Sequence, residues 1–221
     1  MKALQVAGGC ESPTLHVPAR PGADEDLCVS CLGLASGEKP WESKDPVANV
    51  GIVTEPIASR PYMPGYGVLR PGEGSGLLPW SWVEERLLRS HDFWLATVTP
   101  VGAPHLMPVW AVWHERRLWF SSSNASRKSR NLVVEPRCTM STENPLEPVV
   151  VQGRAQRVTD RRALSVILGA ENAKYGTNYD MDLMDPASNS VFALLPESIF
   201  ALDSTDFTGS PTRFTFRPDK A

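Results

Sequence analysis

The residues best suited to chemistry form one run: Leu118-Trp119-Phe120-Ser121-Ser122-Ser123-Asn124-Ala125-Ser126-Arg127-Lys128-Ser129-Arg130-Asn131-Leu132. It reads as a strand that ends in hydroxyls, then a helix that begins with cations, and that order suits an anion. A helix N-terminus offers backbone N–H groups without intrahelical partners and the positive end of the dipole. Ser122 and Ser126 add hydroxyl donors, while Arg127 and Lys128 supply charge. The competing reading is a solvated basic first turn with Ser126 as an ordinary N-cap. Cations in a first turn oppose the dipole, a mild penalty that a bound anion removes, and this tilts the balance toward a ligand.

A second run, Gly102-Ala103-Pro104-His105-Leu106-Met107-Pro108-Val109-Trp110-Ala111-Val112-Trp113, has the period of a strand but carries Pro108 inside it. Proline cannot donate to a ladder, so the strand is an edge or is opened there. An opened strand exposes backbone groups that a planar heterocycle with imide-like edges can use, with Val109 or Trp110 in apolar contact. Taken alone, the run is better read as an edge strand whose aromatics belong to the core.

Other catalytic signatures are missing. The chain has no Gly-x-Ser-x-Gly elbow, no Walker phosphate loop and no His-Glu-x-x-His. Asp180, Asp182 and Asp185 lack the glycine and distal glutamate of a calcium loop and read as a solvated loop. Cys28 and Cys31, with Cys10 and His16, have the makings of a zinc site, but no second tight pair accompanies them, so no metal is expected. His91, His105 and His114 show no ligand spacing.

Composition bounds the rest. With 221 residues, 42% apolar and 21% charged, the chain has the balance of a soluble globular protein. No apolar run approaches the roughly 18 residues of a membrane span, so a cytoplasmic protein without membrane contact is expected. A net charge of -3 gives no reason to expect nucleic acid, although residues 116–137 hold six cations against one acid, Glu135. That asymmetry suits a local anion site.

The elements that must position these residues follow from periodicity. Residues 1–62 show no sustained period and read as a disordered extension or a mis-assigned start, since Met63 opens a Gly/Pro-rich lead-in over 63–79. Ordered sequence is expected over 80–217. Ser81-Trp82-Val83-Glu84 has the form of a capping box before a helix to about Arg89, with Val83 and Leu87 on one face. Strands are expected at 93–99, 105–113, 117–122, 137–142 and 149–158, with Gly153 marking a bulge or close approach. A helix from Ser126 to Val134 interrupts them. A second, capped by Thr159 or Asp160 and closed by Gly176, turns Ala163, Val166, Ile167 and Ala170 to one side. Further strands are plausible at 191–195, 199–203 and 213–216, and six or so of these runs make a mainly β fold with flanking helices, a six-stranded antiparallel split β-barrel.

With these elements in place the sequence resembles the pyridoxamine 5′-phosphate oxidase-like split barrels, and within them the flavin- or deazaflavin-dependent oxidoreductases of actinobacterial type. The resemblance rests on Trp94-Leu95-Ala96-Thr97-Val98, Gly102-x-Pro104-His105-x-x-Pro108-Val109-Trp110, Leu118-Trp119-Phe120-Ser121, Ser126-Arg127-Lys128-x-Arg130-Asn131-Leu132 with Pro136-Arg137, and Val150-Val151-Gln152-Gly153-Arg154-Ala155. It implies a phosphate site at Ser126, Arg127 and Lys128, with Asn131 in the same motif and Ser121 and Ser122 near the phosphate and ribityl chain. It places Met107, Pro108, Val109 and Trp110 beside the cofactor ring. It further implies FMN or deazaflavin coenzyme F-420 as cofactor, a homodimer, and hydride transfer to or from a small-molecule substrate. The alternative within the resemblance is a non-catalytic module that stores or senses a flavin, deazaflavin or haem, with His105 as a candidate haem ligand. Leu106 stands near a position where pyridoxamine-phosphate oxidases proper carry arginine, and their Gly-x-x-x-Arg-Leu-His-x-Arg segment is missing, which argues against the vitamin B6 reaction.

Overall fold

The computed structural model describes residues 56–216. Cys10, His16, Cys28, Cys31 and most of the expected extension lie outside that range. Within it the chain runs β1 (Ile57–Ser59), α1 (Trp80–Arg89), β2 (Asp92–Val98), β3 (Pro104–Trp110), β4 (Val112–His114), β5 (Arg117–Ser123), α2 (Arg127–Val134), β6 (Arg137–Thr142), β7 (Val149–Val158), α3 (Arg161–Tyr175), β8 (Asn189–Ala201) and β9 (Thr212–Thr215). All ladders are antiparallel, in the order β1-β9-β8-β7-β6-β2-β3, and β5 pairs with β8 on one side and β4 on the other. The sheet curls without closing, which makes the fold a split β-barrel.

The period of two is visible in burial. In β2, Phe93, Leu95 and Thr97 are buried while Trp94 and Val98 are exposed, and in β7 Val149, Val151, Gly153 and Ala155 are buried. These inward residues join Val83 and Leu87 of α1, Ile199 of β8 and Phe214 of β9 in the main core. A second core under α3 gathers Val112, Trp119, Leu164, Ile167, Leu168 and Met184. Burial of each large apolar side chain contributes roughly 1.5–3 kcal/mol, the main force rolling the sheet.

Several expectations are corrected. Among the described residues the strands number nine, not six. The run expected at 105–113 breaks at Ala111 into β3 and β4. The two strands expected at 191–195 and 199–203 are one, because a register shift opposite Gln152 and Gly153 accommodates Pro196 without ending the ladder. Ile57–Ser59, inside the stretch read as an extension, pairs with β9. The capping box is also absent: α1 starts at Trp80 with Pro79 as N-cap and no side-chain cap bond. Trp80 packs edge-on against Phe214 and Phe216, at 5.3 and 5.8 Å between ring centres, so aromatic packing draws the helix start two residues upstream. Finally, α3 buries Ala163, Leu164, Ile167, Leu168 and Glu171 while Val166 is exposed, because the two leucines rotate the apolar arc. Its ends are as expected: the Asp160 carboxylate accepts from the Ala163 N–H at 2.9 Å, and Gly176 closes it at φ 63°.

Gly153 has the close approach expected of it. A Cβ there would stand 1.9 Å from the Leu195 carbonyl oxygen, so only glycine lets β7 lie against β8 at the bulge.

Candidate functional site: the open side of the split barrel

The split has a definite origin. β4 pairs with the start of β5 through Val112↔Trp119, Trp113↔Leu118 and His114↔Arg117. Past Trp119, β5 is laddered only to β8, and β3 is laddered only to β2. The free edge of β3 and the Phe120–Ser123 end of β5 are therefore not laddered to each other, and this open side of the split barrel is the candidate cleft. Pro108 sits in that free-edge strand, where a missing N–H costs no ladder bond.

At the β5 side of the cleft the hydroxyls and cations come together. Ser126 is the N-cap of α2, its Oγ accepting from the Ser129 N–H at 3.2 Å and lying 3.0 Å from the Ser129 hydroxyl. The Ser122 hydroxyl is 2.9 Å from the same Oγ. This cap uses the N–H of Ser129, and the N–H groups of Arg127 and Lys128 stay open at the helix start. Among the described residues neither the Arg127 guanidinium nor the Lys128 ammonium has a hydrogen-bond or ion-pair partner, whereas Arg130 donates to the Ala125 carbonyl at 3.0 Å. Ser121 and Ser122 are half-buried at the end of β5. Two unpartnered cations, serine hydroxyls and open N–H groups thus converge on one helix start, and the first turn holds no acid to neutralise them.

The structure separates the remaining sequence candidates. Asn131 is buried and its Nδ2 donates to the Thr97 Oγ at 2.9 Å, so it locks α2 to β2 rather than facing the cleft. Thr97 Oγ in turn lies 3.3 Å from His105 Nδ1 on β3, extending the polar chain to the cleft wall. Val109 is buried, Met107 and Pro108 are exposed, and Trp110 keeps 40% of its surface. A cavity of about 420 Å3 lined by Ala96, Val98, Pro104, Arg137, Gln152 and Glu197 excludes the serines and cations of the corner.

Sequence reading missed Lys174 and Tyr175 at the end of α3. The Tyr175 ring stacks on Trp110 with centres 4.3 Å apart and planes 6° from parallel, and His91 meets both edge-on. Burial lowers the Lys174 ammonium to about 8, against the pull of Glu143 and Asp92, and raises the Tyr175 phenol. Helical spacing marks these two as the last turn of a covering helix. Nothing local says that they reach the bend of a strand more than sixty residues earlier.

The family model described as pyridoxamine 5′-phosphate oxidase matches residues 82–203, more than half of the chain. The chain belongs to that family. Among solved structures, the fold is similar to a conserved hypothetical protein from Mycobacterium tuberculosis, with 20% identity and a TM-score of 0.53 over 57% of this chain and 86% of that one. A putative 5-nitroimidazole antibiotic resistance protein from Bacteroides thetaiotaomicron is 12% identical with a TM-score of 0.50, over 64% and 88% of the two chains. An F420 reductase is 26% identical over 52% of this chain and 94% of its own, with a TM-score of 0.45. No curated protein matches. The family match spans β2 to β8, so it covers both edges of the split and the whole of α2. Among the described residues no three metal-ligating side chains cluster, and no helix is long and apolar enough to cross a membrane.

Proposed function

We propose that this family member binds a phosphate-bearing flavin-type cofactor, FMN or deazaflavin coenzyme F-420, in the cleft and acts as a cytoplasmic oxidoreductase on a small molecule. The observation that carries this reading is the α2 start: Arg127 and Lys128 without partners beside the hydroxyls of Ser122 and Ser126. The residues fit a phosphate by charge, by hydroxyl donors and by open N–H groups. Such a cofactor supplies hydride chemistry when bound. The chain's own part is to fix the phosphate with Lys128 and Arg127 and to receive the ring along Met107 to Trp110, while Val109 and the Trp110–Tyr175 stack give the β3 edge a rigid apolar backing.

A homodimer belongs to the same proposal, on different grounds from those read in the sequence. Trp113 and Trp119 are buried in the two cores, but Trp94 (45% exposed), Val98 (39%), Leu106 (57%) and Trp110 (40%) leave an apolar strip on β2 and β3. Trp94 faces Pro108 and Val98 faces Pro104 across the ladder, so the strip is continuous. A second copy covering it would shut the cleft from water.

The test is titration of the full chain with FMN and with the deazaflavin coenzyme, followed by absorbance and calorimetry, on wild type, Lys128→Ala and Arg161→Ala. Lys128→Ala is expected to weaken binding by about 1.5–3 kcal/mol, one to two orders of magnitude, with Arg161→Ala unchanged. Equal binding by all three would remove the phosphate assignment. Consumption of the reduced cofactor by an acceptor supports the enzyme; tight binding with no turnover across acceptors supports a storage or sensing module.

A further inference from the structure

Ala111 is the residue at which the barrel splits, and its backbone is served by side chains. It lies between β3 and β4 and is buried, so both of its polar groups need partners away from water. Its N–H donates to the Tyr175 Oη at 2.8 Å. Its carbonyl accepts from the Lys174 ammonium at 2.7 Å, and the Tyr175 Oη lies 3.0 Å from that carbonyl and 2.7 Å from the His91 carbonyl, either of which can accept its proton. Two consecutive residues of α3 thus replace the ladder that the strand abandons at its bend.

We propose that Lys174 and Tyr175 are positioning residues that hold the Ala111 bend open and so set the grip of the cleft on its ligand. The ligand half rests on the cofactor reading above. The ammonium sits 4.9 Å from the Phe93 ring centre and 5.4 Å from that of Tyr175, a largely apolar seat, and the charged groups that act on it are Asp92 from β2 and Glu143 from the loop after β6. Glu143 is itself anchored, its carboxylate accepting from the Ser90 hydroxyl at 2.6 Å and the His91 N–H at 3.1 Å. Glu171 lies one turn back on α3 and acts on Tyr175. Burial brings Lys174 to about 8, below a solvated lysine at about 10.4, so loss of the proton above pH 8 favours the seated side chain over one released to water. Global stability moves the same way, because the unfolded lysine binds more protons than the folded one between about pH 8 and 10.4. The clamp therefore persists above pH 8, with the bond to Ala111 made by an amine.

The experiment follows the Ala111 amide in protein labelled with 15N-alanine, free of ligand, and cofactor affinity in parallel, from pH 6.5 to 9.5. In wild type the amide is expected to shift with a midpoint near pH 8. Lys174→Met is expected to abolish that shift and to weaken binding of FMN or the deazaflavin severalfold at every pH. Tyr175→Phe, which keeps the ring on Trp110 and loses the hydroxyl, is expected to weaken binding by roughly tenfold with the fold intact by circular dichroism. An Ala111 amide that does not titrate, or variants that bind as wild type does at every pH, would overturn the clamp. Wild type that binds neither cofactor while the Ala111 amide still titrates would end the flavin reading and leave the clamp standing.

Discussion

At the scale of single residues, Ser126 and Ser122 separate two roles that one hydroxyl often combines. Ser126 caps α2 through the Ser129 N–H and also touches the Ser122 hydroxyl, whereas Ser122 has no capping duty. Ser126→Ala is expected to lower stability by about 1 kcal/mol and also to weaken cofactor binding; Ser122→Ala is expected to weaken binding with stability nearly unchanged. Thermal melts beside calorimetry check the pair, and a Ser122→Ala protein as unstable as Ser126→Ala would contradict the division. Glu171 is a second case. It is buried on α3, and burial raises its carboxyl above the ordinary range. The folded state therefore holds that proton more tightly than the unfolded chain. This favours the fold below about pH 4 and is lost as pH rises through the folded value. Glu171→Gln is expected to melt a few degrees higher than wild type at pH 7, with the difference vanishing toward pH 4. The hydroxyl and cation corner was legible in the sequence because it is local, a strand end and a helix start within eight residues of chain. The inward turn of Asn131 and the reach of Lys174 to Ala111 were not, since each depends on a partner brought in by the sheet.

At the scale of elements, β7 and β8 depend on Gly153. Its missing side chain lets the strands approach at the bulge where Pro196 enters, and a methyl would collide with the Leu195 carbonyl, a backbone atom that cannot swing aside. Gly153→Ala is expected to cost 3 kcal/mol or more, on the order of the largest single-residue effects, or to prevent folding; chemical denaturation measures it, and a loss under about 1 kcal/mol would show that the strands can part. The sequence announced this glycine, and it announced α2, α3 and the strands β2, β5, β6 and β7, because alternation and capping are properties of short windows. It missed the unity of β8 because Pro196 reads as a stop until the partner strand and its bulge are in place. It misplaced the start of α1 because a capping box competes with packing, and Trp80 against Phe214 and Phe216 joins residues from opposite ends of the described chain.

For the whole molecule, β1 and the residue after it tie the two ends of the described chain together. β1 is only three residues long and exposed along its length, but Arg60, just after it, donates to the carbonyls of Gly209 at 2.8 Å and Pro211 at 2.7 Å and so ties the loop before β9. A chain starting at Met63 loses both features. It is expected to fold, because every residue of the main core lies beyond Met63, yet to be less stable by about 1–3 kcal/mol than one starting at Pro56. Denaturation midpoints of the two decide it; equal midpoints would make β1 ornamental. Light scattering tests the dimer, and a monomer that binds cofactor tightly would refute it.

The pairing of β5 with β8 has a consequence for how the chain is made. Leu118 to Ser123 find their ladder partners at Leu194 to Asn189, some seventy residues later, and β8 alone joins β5 to β7. As the chain leaves the ribosome, β2 to β5 must wait with Trp119 and Phe120 unprotected until β8 has emerged. The slow step of folding, and the window for aggregation, should therefore fall on the last strands to be synthesised. Substitutions that weaken β8 should reduce the yield of folded protein more than their effect on equilibrium stability implies, because the aromatic half-barrel is what they leave exposed.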